Sequence, residues 1–148
     1  MIFHKGRFME AIVKQVDGLS LRGKAGSNHW ITMDAAEDVG GHGAATKPME
    51  LILLGLGSCT LMDVISILKK KRSPIKNIEV SLTADQAKDY PKVFTYIKVK
   101  FIIYGDKESI KPIDVERAIE LSSKQYCSVS NMLKGTAKIE YEFEIIRA

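Results

Sequence analysis

The stretch that decides the fold runs from Pro48 to Lys71 and reads PMELILLGLGSCTLMDVISILKKK. Pro48 suits the first position of a helix with Lys47 as its cap residue, and the Glu50 carboxylate is favoured in the first turn. The predicted helix is apolar on almost every side, and Pro74 lies shortly beyond its expected end near Lys71. Because such a helix is buried all round, we predict that it forms the centre of the core.

A membrane span is the alternative interpretation of the same helix. Residues 51–68 contain no Lys or Arg, and their number is close to the length that a span requires. The segment nevertheless contains Asp63 and several small polar residues, and no second segment of this kind occurs. We therefore expect a core helix in a protein with no membrane partner. The N-terminus also lacks the pattern of a secretory signal, so we expect a cytoplasmic location.

Strand patterns flank this helix on both sides. Those before it cover residues 8–16, 19–21 and 29–33, with Asp17-Gly18 as a hairpin signal. After it come strands at 78–84, 93–104 and 137–145 and a second helix at 112–124. The clean alternation in the strand at 93–104 points four residues inward: Ile97, Val99, Phe101 and Ile103. The order β-β-β-α-β-β-α-β predicts an α+β fold with antiparallel sheet, in a single domain over residues 1–148.

A glycine-rich stretch, residues 39–46, lies between the first strands and the helix. A loop of this composition inside a compact domain predicts mobility or a functional role. The three histidines, His4, His29 and His42, show no metal-ligand spacing with either cysteine, so we predict no metal site. No phosphate-binding or dinucleotide-binding motif occurs, and we predict no cofactor.

Cys59 and Cys127 are the only cysteines, and they lie far apart in the sequence. Either the fold brings them together as a thiol–disulfide pair, or they are two small buried hydrophobic residues. In a reducing compartment, a disulfide that does form is usually catalytic or redox-sensing. Cys127 would gain a lowered pKa if Ser128 opened a helical turn. A nucleophile pair of Cys59 with His42 is a further alternative.

The formal net charge of +4 is a modest basic excess. Its densest point, residues 69–72, directly follows the apolar helix, where basic side chains compensate the helix dipole. Four basic residues alone do not make a nucleic-acid surface. We therefore expect no nucleic-acid partner.

Three motifs resemble those of the OsmC/Ohr family: Pro48-Met49-Glu50-Leu51, Gly57-Ser58-Cys59 and Tyr126-Cys127-Ser128-Val129-Ser130. The resemblance covers nearly the whole chain from about Met9, so residues 1–8 are interpreted as an N-terminal extension. It implies an intertwined homodimer in which strands of both chains surround the cysteine-bearing helices. Gly55 and Gly57 would then lie where two helices cross closely.

Active members of that family reduce organic hydroperoxides in stress defence. The resemblance implies that Cys59 is the peroxidatic thiol, which the peroxide converts to a sulfenic acid. Cys127 would resolve this acid to a disulfide, and an external dithiol reductant would restore both thiols. Glu50 and Arg22 are the candidates for the carboxylate and the cation that assist Cys59.

The sequence also departs from the pattern of the hydroperoxide reductases. Met49 follows Pro48 where those enzymes carry a carboxylate, and Glu50 comes one helical step, about 100°, later. Arg22 does not clearly match the family's arginine position, and Ser128 stands where active members often carry proline. Two hypotheses therefore remain open. One is a cytoplasmic thiol peroxidase, and the other is a non-catalytic OsmC-like protein that binds a small apolar ligand or senses oxidation.

Overall fold

The computed structural model describes residues 9–148, so the interpreted extension at residues 1–8 lies outside the described residues. The chain divides between Ile52 and Leu53 into two compact units, the second of which ends at Ala148. The division falls inside the first long helix. That residues 1–148 form a single domain stays a prediction.

The first unit contains a three-stranded antiparallel sheet in the order β1-β2-β3. Its strands are β1 (Ala11–Asp17), β2 (Ser20–Ala25) and β3 (Ile31–Met33). The hairpin predicted at Asp17-Gly18 joins β1 to β2, and Gly18 has the positive φ of 51° that such a turn requires.

The glycine-rich stretch is organised around the buried carboxylate of Asp34. This carboxylate accepts backbone N–H groups from Ala35, His42 and Ala44 at 2.8–3.2 Å. Burial on its own would raise the pKa of Asp34, but these donors and the Ser20 hydroxyl together hold it below the ordinary value of 3.8. The glycines thus serve a loop with a defined internal structure, which the composition alone did not indicate.

The second unit contains a sheet in the order β4-β5-β6. Its strands are β4 (Ile75–Gln86), β5 (Phe94–Gly105) and β6 (Lys138–Arg147). Between β5 and β6 the chain forms α2 (Pro112–Leu121), a π-helical turn (Ser122–Tyr126) and α3 (Ser128–Leu133). The α+β class and the predicted order of strands and long helices are confirmed, and the short α3 begins at Ser128, where the sequence allowed a helical turn.

One pairing in this sheet differs from the antiparallel prediction. β4 and β5 are antiparallel, but β5 and β6 are parallel. A parallel pair needs a crossover connection, and the helical segment between β5 and β6 supplies it by returning the chain to the same end of the sheet. The four inward-facing residues of β5 are fully buried, as predicted: Ile97, Val99, Phe101 and Ile103.

The first helix, α1 (Pro48–Lys70), ends one residue before the expected position. It is the single helix among the described residues that is long and apolar enough to cross a membrane, by length and composition only. Its buried residues are Leu56, Gly57, Thr60, Val64 and Leu68. Several apolar side chains elsewhere on it are exposed: Ile52, Leu54, Met62 and Ile65. Within one chain the helix is therefore buried along one face, and burial of its other faces, which the resemblance attributes to a homodimer, stays a prediction.

Gly57 lies where α1 packs against β4. A Cβ built on Gly57 would lie 2.7 Å from Leu82 Cδ1 and 3.5 Å from Val80 Cγ1. Apart from its chain neighbours and the backbone of its own helix, nothing in the described part of the chain lies within 4 Å of a Cβ built on Gly55. Within one chain the close neighbour of Gly57 is thus a strand, and the helix crossing expected at both glycines in a homodimer stays a prediction.

Candidate thiol site

Three side chains of the second unit meet at one place. The Sγ atoms of Cys59 and Cys127 and a carboxylate oxygen of Asp63 all lie within 4.8 Å of one another. Both cysteines are free thiols. The fold thus brings together two thiols that are far apart in the sequence, and it adds a carboxylate that the sequence reasoning had not assigned to the site.

Helix α1 supplies Cys59 and Asp63. Residues four positions apart on a helix lie on the same face, so these two side chains project toward the same neighbours. The next residue, Thr60, is buried, and its hydroxyl donates to the Leu56 carbonyl at 3.0 Å within the helix. Cys59 itself is partly exposed. The thiol therefore stands at the margin of the buried face, where a solute can reach it.

The π-helical turn supplies Cys127. The backbone N–H of Cys127 donates to the Ser122 carbonyl at 2.8 Å, which is the five-residue spacing of a π-helix. The side-chain amide of Asn131 donates to the Cys127 carbonyl at 2.9 Å. Cys127 is also the N-cap of α3, and its Sγ accepts the Ser130 N–H at 3.3 Å. Turn and cap together fix the position of this sulfur.

Burial dominates the electrostatics of Cys127. The side chain is fully buried, and this desolvation, with the neighbouring Cys59 and Asp63, raises the pKa of Cys127 from 9.0 to about 11. The Ser130 N–H lowers the pKa but does not outweigh burial. Cys127 does precede a helix, as the sequence indicated, but the lowered pKa expected from that position is wrong because the thiolate would be removed from water.

Ser122 links Asp63 to Cys127. Its hydroxyl donates to Asp63 Oδ2 at 2.9 Å, while its carbonyl accepts the Cys127 N–H. Ser122 is buried whereas Asp63 is partly exposed, so this hydrogen bond lies at the edge of the core. A second pair supports the same region, because the Ser130 and Tyr141 hydroxyls lie 2.7 Å apart. Ser122 is therefore the residue that contacts both the Asp63 carboxylate and the backbone of Cys127.

The two other predicted site residues have local contacts in the first unit. Glu50 accepts the Lys47 backbone N–H at 2.9 Å, which is the return bond of a capping box at the start of α1. The guanidinium carbon of Arg22 lies 4.7 Å from the centroid of the Trp30 ring. These contacts give both residues structural roles. A catalytic role for either stays a prediction.

His42, the alternative partner for Cys59, also has neighbours in the first unit. Its Nδ1 lies 3.3 Å from Ser20 Oγ and 3.9 Å from Asp34 Oδ2. The Ser20 hydroxyl and the Asp34 carboxylate therefore account for the contacts of this ring nitrogen.

The sequence reasoning missed Asp63 and Ser122 as members of the site. A signal for Asp63 was present, because it is the one charged residue between Leu51 and Leu68 and stands four positions after Cys59. For Ser122 no local signal exists, since its role depends on a π-helical turn that sets it beside α1. A buried serine cannot be distinguished from a surface serine by sequence alone.

Comparison with known proteins places the chain in a class. The family model described as OsmC-like protein matches residues 41–142, which is more than half of the chain and includes both cysteines. The chain belongs to the OsmC-like family.

Particular relatives agree with this assignment. Protein YhfA of Escherichia coli strain K12 is 39% identical over 141 residues, which cover 95% of this chain and 100% of that protein. The crystal structure of a hypothetical protein from Aquifex aeolicus VF5 has a TM-score of 0.82 at 28% identity, covering 95% and 98% of the two chains.

A more distant structure shares the fold. It is that of an organic hydroperoxide resistance protein OsmC from Legionella pneumophila, with a TM-score of 0.70 at 15% identity and coverage of 95% and 99%.

Proposed function

We propose that this protein is a thiol-dependent peroxidase that reduces organic hydroperoxides through Cys59 and Cys127. The observation that carries the proposal is the approach of the two free Sγ atoms to within 4.8 Å. A disulfide has an S–S length of about 2.0 Å, so the sulfurs need to close by less than about 3 Å. The family and the hydroperoxide resistance protein from Legionella pneumophila support the same reaction class.

The proposed cycle has three steps. The Cys59 thiolate attacks the peroxide, so that an S–O bond forms, the O–O bond breaks and the alcohol leaves with a proton. The Cys127 sulfur then attacks the sulfur of the sulfenic acid, so that the S–S bond forms, the S–O bond breaks and the hydroxyl leaves as water with the proton of the Cys127 thiol. An external dithiol restores both thiols through a mixed disulfide and is itself oxidised to a disulfide.

The exposure of the two thiols supports this division of roles. Cys59 is partly exposed, whereas the exposed fraction of Cys127 is 0%. A hydroperoxide dissolved in water meets Cys59 first, and Cys127 needs to meet only the neighbouring sulfur. The buried position suits a resolving thiol because it keeps water and free thiols away from the second step.

Turnover of an alkyl hydroperoxide in the presence of a dithiol reductant tests the proposal. The wild type should consume peroxide continuously, and Cys59→Ser should not. Ser58→Ala is a matched control, because Ser58 is the exposed neighbour and its hydroxyl donates only to the Gly55 carbonyl at 3.2 Å. Equal rates for the wild type and Cys59→Ser would contradict the proposal.

The redox-sensing alternative makes a different prediction in the same assay. It is favoured by the raised pKa of Cys127 and by Met49 in place of a carboxylate. A sensor would form the Cys59–Cys127 disulfide when oxidised but would not turn over peroxide with dithiol. If neither reaction occurs, binding of a small apolar ligand is the hypothesis that survives.

We include Glu50 and Arg22 in the proposal as groups that assist the Cys59 thiolate. Arg22→Ala can be compared with Lys24→Ala, because Lys24 Nζ lies 5.1 Å from the same Trp30 ring. A role in activation predicts that only the arginine variant loses turnover, whereas a purely structural role predicts similar effects of both. If Glu50 assists Cys59, Glu50→Gln should lower peroxide turnover by more than the loss of folded protein accounts for.

We further propose a homodimer located in the cytoplasm, where dithiol reductants are available, with a role in oxidative and osmotic stress defence. Exposed apolar side chains support association with a second copy: Leu54, Met62 and Ile65 on α1 and Ile12, Val13 and Val16 on β1. Light scattering should give twice the mass of the chain, and Met62→Asp should shift it toward the single-chain mass. A wild type that stays monomeric would contradict the dimer.

A further inference from the structure

The thiol site also has the donor set of a transition-metal site. The three ligand atoms come from two cysteines and one aspartate, and they lie within 4.8 Å of one another. In a tetrahedral zinc site, bond lengths of about 2.3 Å to sulfur and 2.0–2.2 Å to oxygen set the ligand atoms about 3.6–3.8 Å apart. The observed cluster therefore needs to contract by no more than about 1 Å to reach that geometry.

Hydrogen bonds from neighbouring residues orient two of these donors, the Asp63 carboxylate and the Cys127 sulfur, as they orient the ligands of known metal sites. Ser122 donates its hydroxyl to Asp63 Oδ2, which orients the carboxylate and leaves its other oxygen available. The Ser130 N–H points at Cys127 Sγ and stabilises negative charge on that sulfur. Hydrogen bonds of this kind behind the ligands fix their orientation and tune their affinity.

A cleft of about 350 Å³ leads to the carboxylate side of the cluster, and its walls include Asp63, Ile67 and Tyr126. Lys70 and Lys71 also line it and disfavour a cation, although Lys71 is ion-paired with Asp114 at 2.9 Å. Because Asp63 lines this cleft, its carboxylate is accessible from outside the buried core.

We propose that Cys59, Asp63 and Cys127 form a binding site for a thiophilic divalent cation of the zinc class. Two thiolates favour Zn²⁺ and its relatives over Mg²⁺ or Ca²⁺, and three protein ligands leave one position for water. Binding requires both thiols to release their protons to solvent. No histidine takes part, and for this reason a search for histidine spacing does not find the site.

Metal binding and the disulfide exclude each other, because a disulfide has no thiolate to offer. The reduced protein should therefore bind the ion and the oxidised protein should not. A bound ion should also shield Cys59 from peroxide. The inference does not rest on the proposed peroxidase activity, since equilibrium binding to the reduced protein is measured without peroxide.

Cobalt(II) provides the test because its spectrum reports its ligands. Co²⁺ added to the reduced, full-length protein under inert gas should give a thiolate-to-metal charge-transfer band that saturates at one ion per chain. Zn²⁺ should then displace the Co²⁺ and abolish the band. Asp63→Asn should weaken Co²⁺ binding by roughly 10-fold or more, because loss of a direct ligand should cost at least as much as loss of a residue that orients one. The matched control is Asp89→Asn, which changes an exposed aspartate outside the cluster.

Either of two results would overturn the site. One is a wild type that gives no charge-transfer band at stoichiometric Co²⁺, and the other is an Asp63→Asn variant that binds Co²⁺ as tightly as Asp89→Asn. A second measurement applies to the wild type alone, so that it does not depend on the folding of a variant. Zn²⁺ should protect the partly exposed Cys59 from alkylation, and an unprotected Cys59 at saturating Zn²⁺ would also overturn the site.

Discussion

The backbones that carry Cys59 and Cys127 differ, although their sulfurs share one site. Cys59 lies in the middle of the regular helix α1 and is partly exposed. Cys127 lies where a π-helical turn gives way to α3, and it is fully buried. In this molecule the regular helix leaves the Cys59 thiol partly exposed to solvent, whereas the irregular junction places the Cys127 thiol in the core. The difference in exposure is what the proposed roles require, with attack by the partly exposed thiol and resolution by the buried one.

Removing the exposed thiol should have the largest effect. Cys59→Ser eliminates the sulfur that meets the hydroperoxide, so turnover should fall by roughly 10³-fold or more, as for other enzymes that lose their nucleophile. Steady-state peroxide consumption measures this effect. If the loss is only severalfold, Cys59 is not the attacking thiol.

Removing the buried thiol should have a smaller and different effect. In Cys127→Ser the first oxidation of Cys59 should still occur at the wild-type rate, but the sulfenic acid should persist because no neighbouring sulfur resolves it. A dione that traps sulfenic acids should label Cys59 in this variant. Excess peroxide should then carry Cys59 to the sulfinic acid. A variant that fails at the first oxidation, like Cys59→Ser, would break the comparison.

The link between the two regions should contribute to stability. Ser122→Ala removes the hydroxyl that donates to Asp63 in a part-buried hydrogen bond, and a hydrogen bond to a charged group contributes about 1.5–3 kcal/mol to the free energy of unfolding. Urea denaturation at neutral pH measures this loss. Ser123→Ala is the matched control, since that hydroxyl donates to the Glu120 carbonyl within the same helical segment. Equal costs for both variants would mean that the link to Asp63 contributes nothing.

The smallest expected effect is a dependence of stability on alkaline pH. Burial raises the pKa of Cys127 from 9.0 to about 11, so the folded state retains a proton that the unfolded state releases. This contribution to stability is fully present below pH 9.0 and is lost as the pH rises toward about 11. Cys127→Ser should lack this part of the alkaline decline in unfolding free energy. Parallel pH profiles for wild type and variant would contradict the effect.

Local periodicity accounts for what the sequence could predict. The alternation of Ile97 to Ile103 identified a half-buried strand, and the proline, glutamate and apolar run of residues 48–70 identified α1. These patterns depend on neighbours along the chain, which a single sequence contains. The motifs around both cysteines then indicated the family, which the match over residues 41–142 confirms.

Tertiary contacts account for what the sequence could not predict. The parallel partner of β5 depends on the path of the helical connection, and the exposed side of α1 depends on which face meets β4. The raised pKa of Cys127 depends on burial that no local pattern encodes. Asp63 became a member of the site only when α1 and the π-helical turn were brought together.

The most direct test of a shared thiol site is a single oxidation of the reduced protein by an equimolar alkyl hydroperoxide, followed by mass spectrometry under denaturing conditions. The account predicts that each chain loses two hydrogens, that one alcohol is released per chain, and that a Cys59–Cys127 cross-linked peptide appears in the digest. A protein in which both cysteines remain open to alkylation, or in which peroxide is consumed without that cross-link, would contradict it.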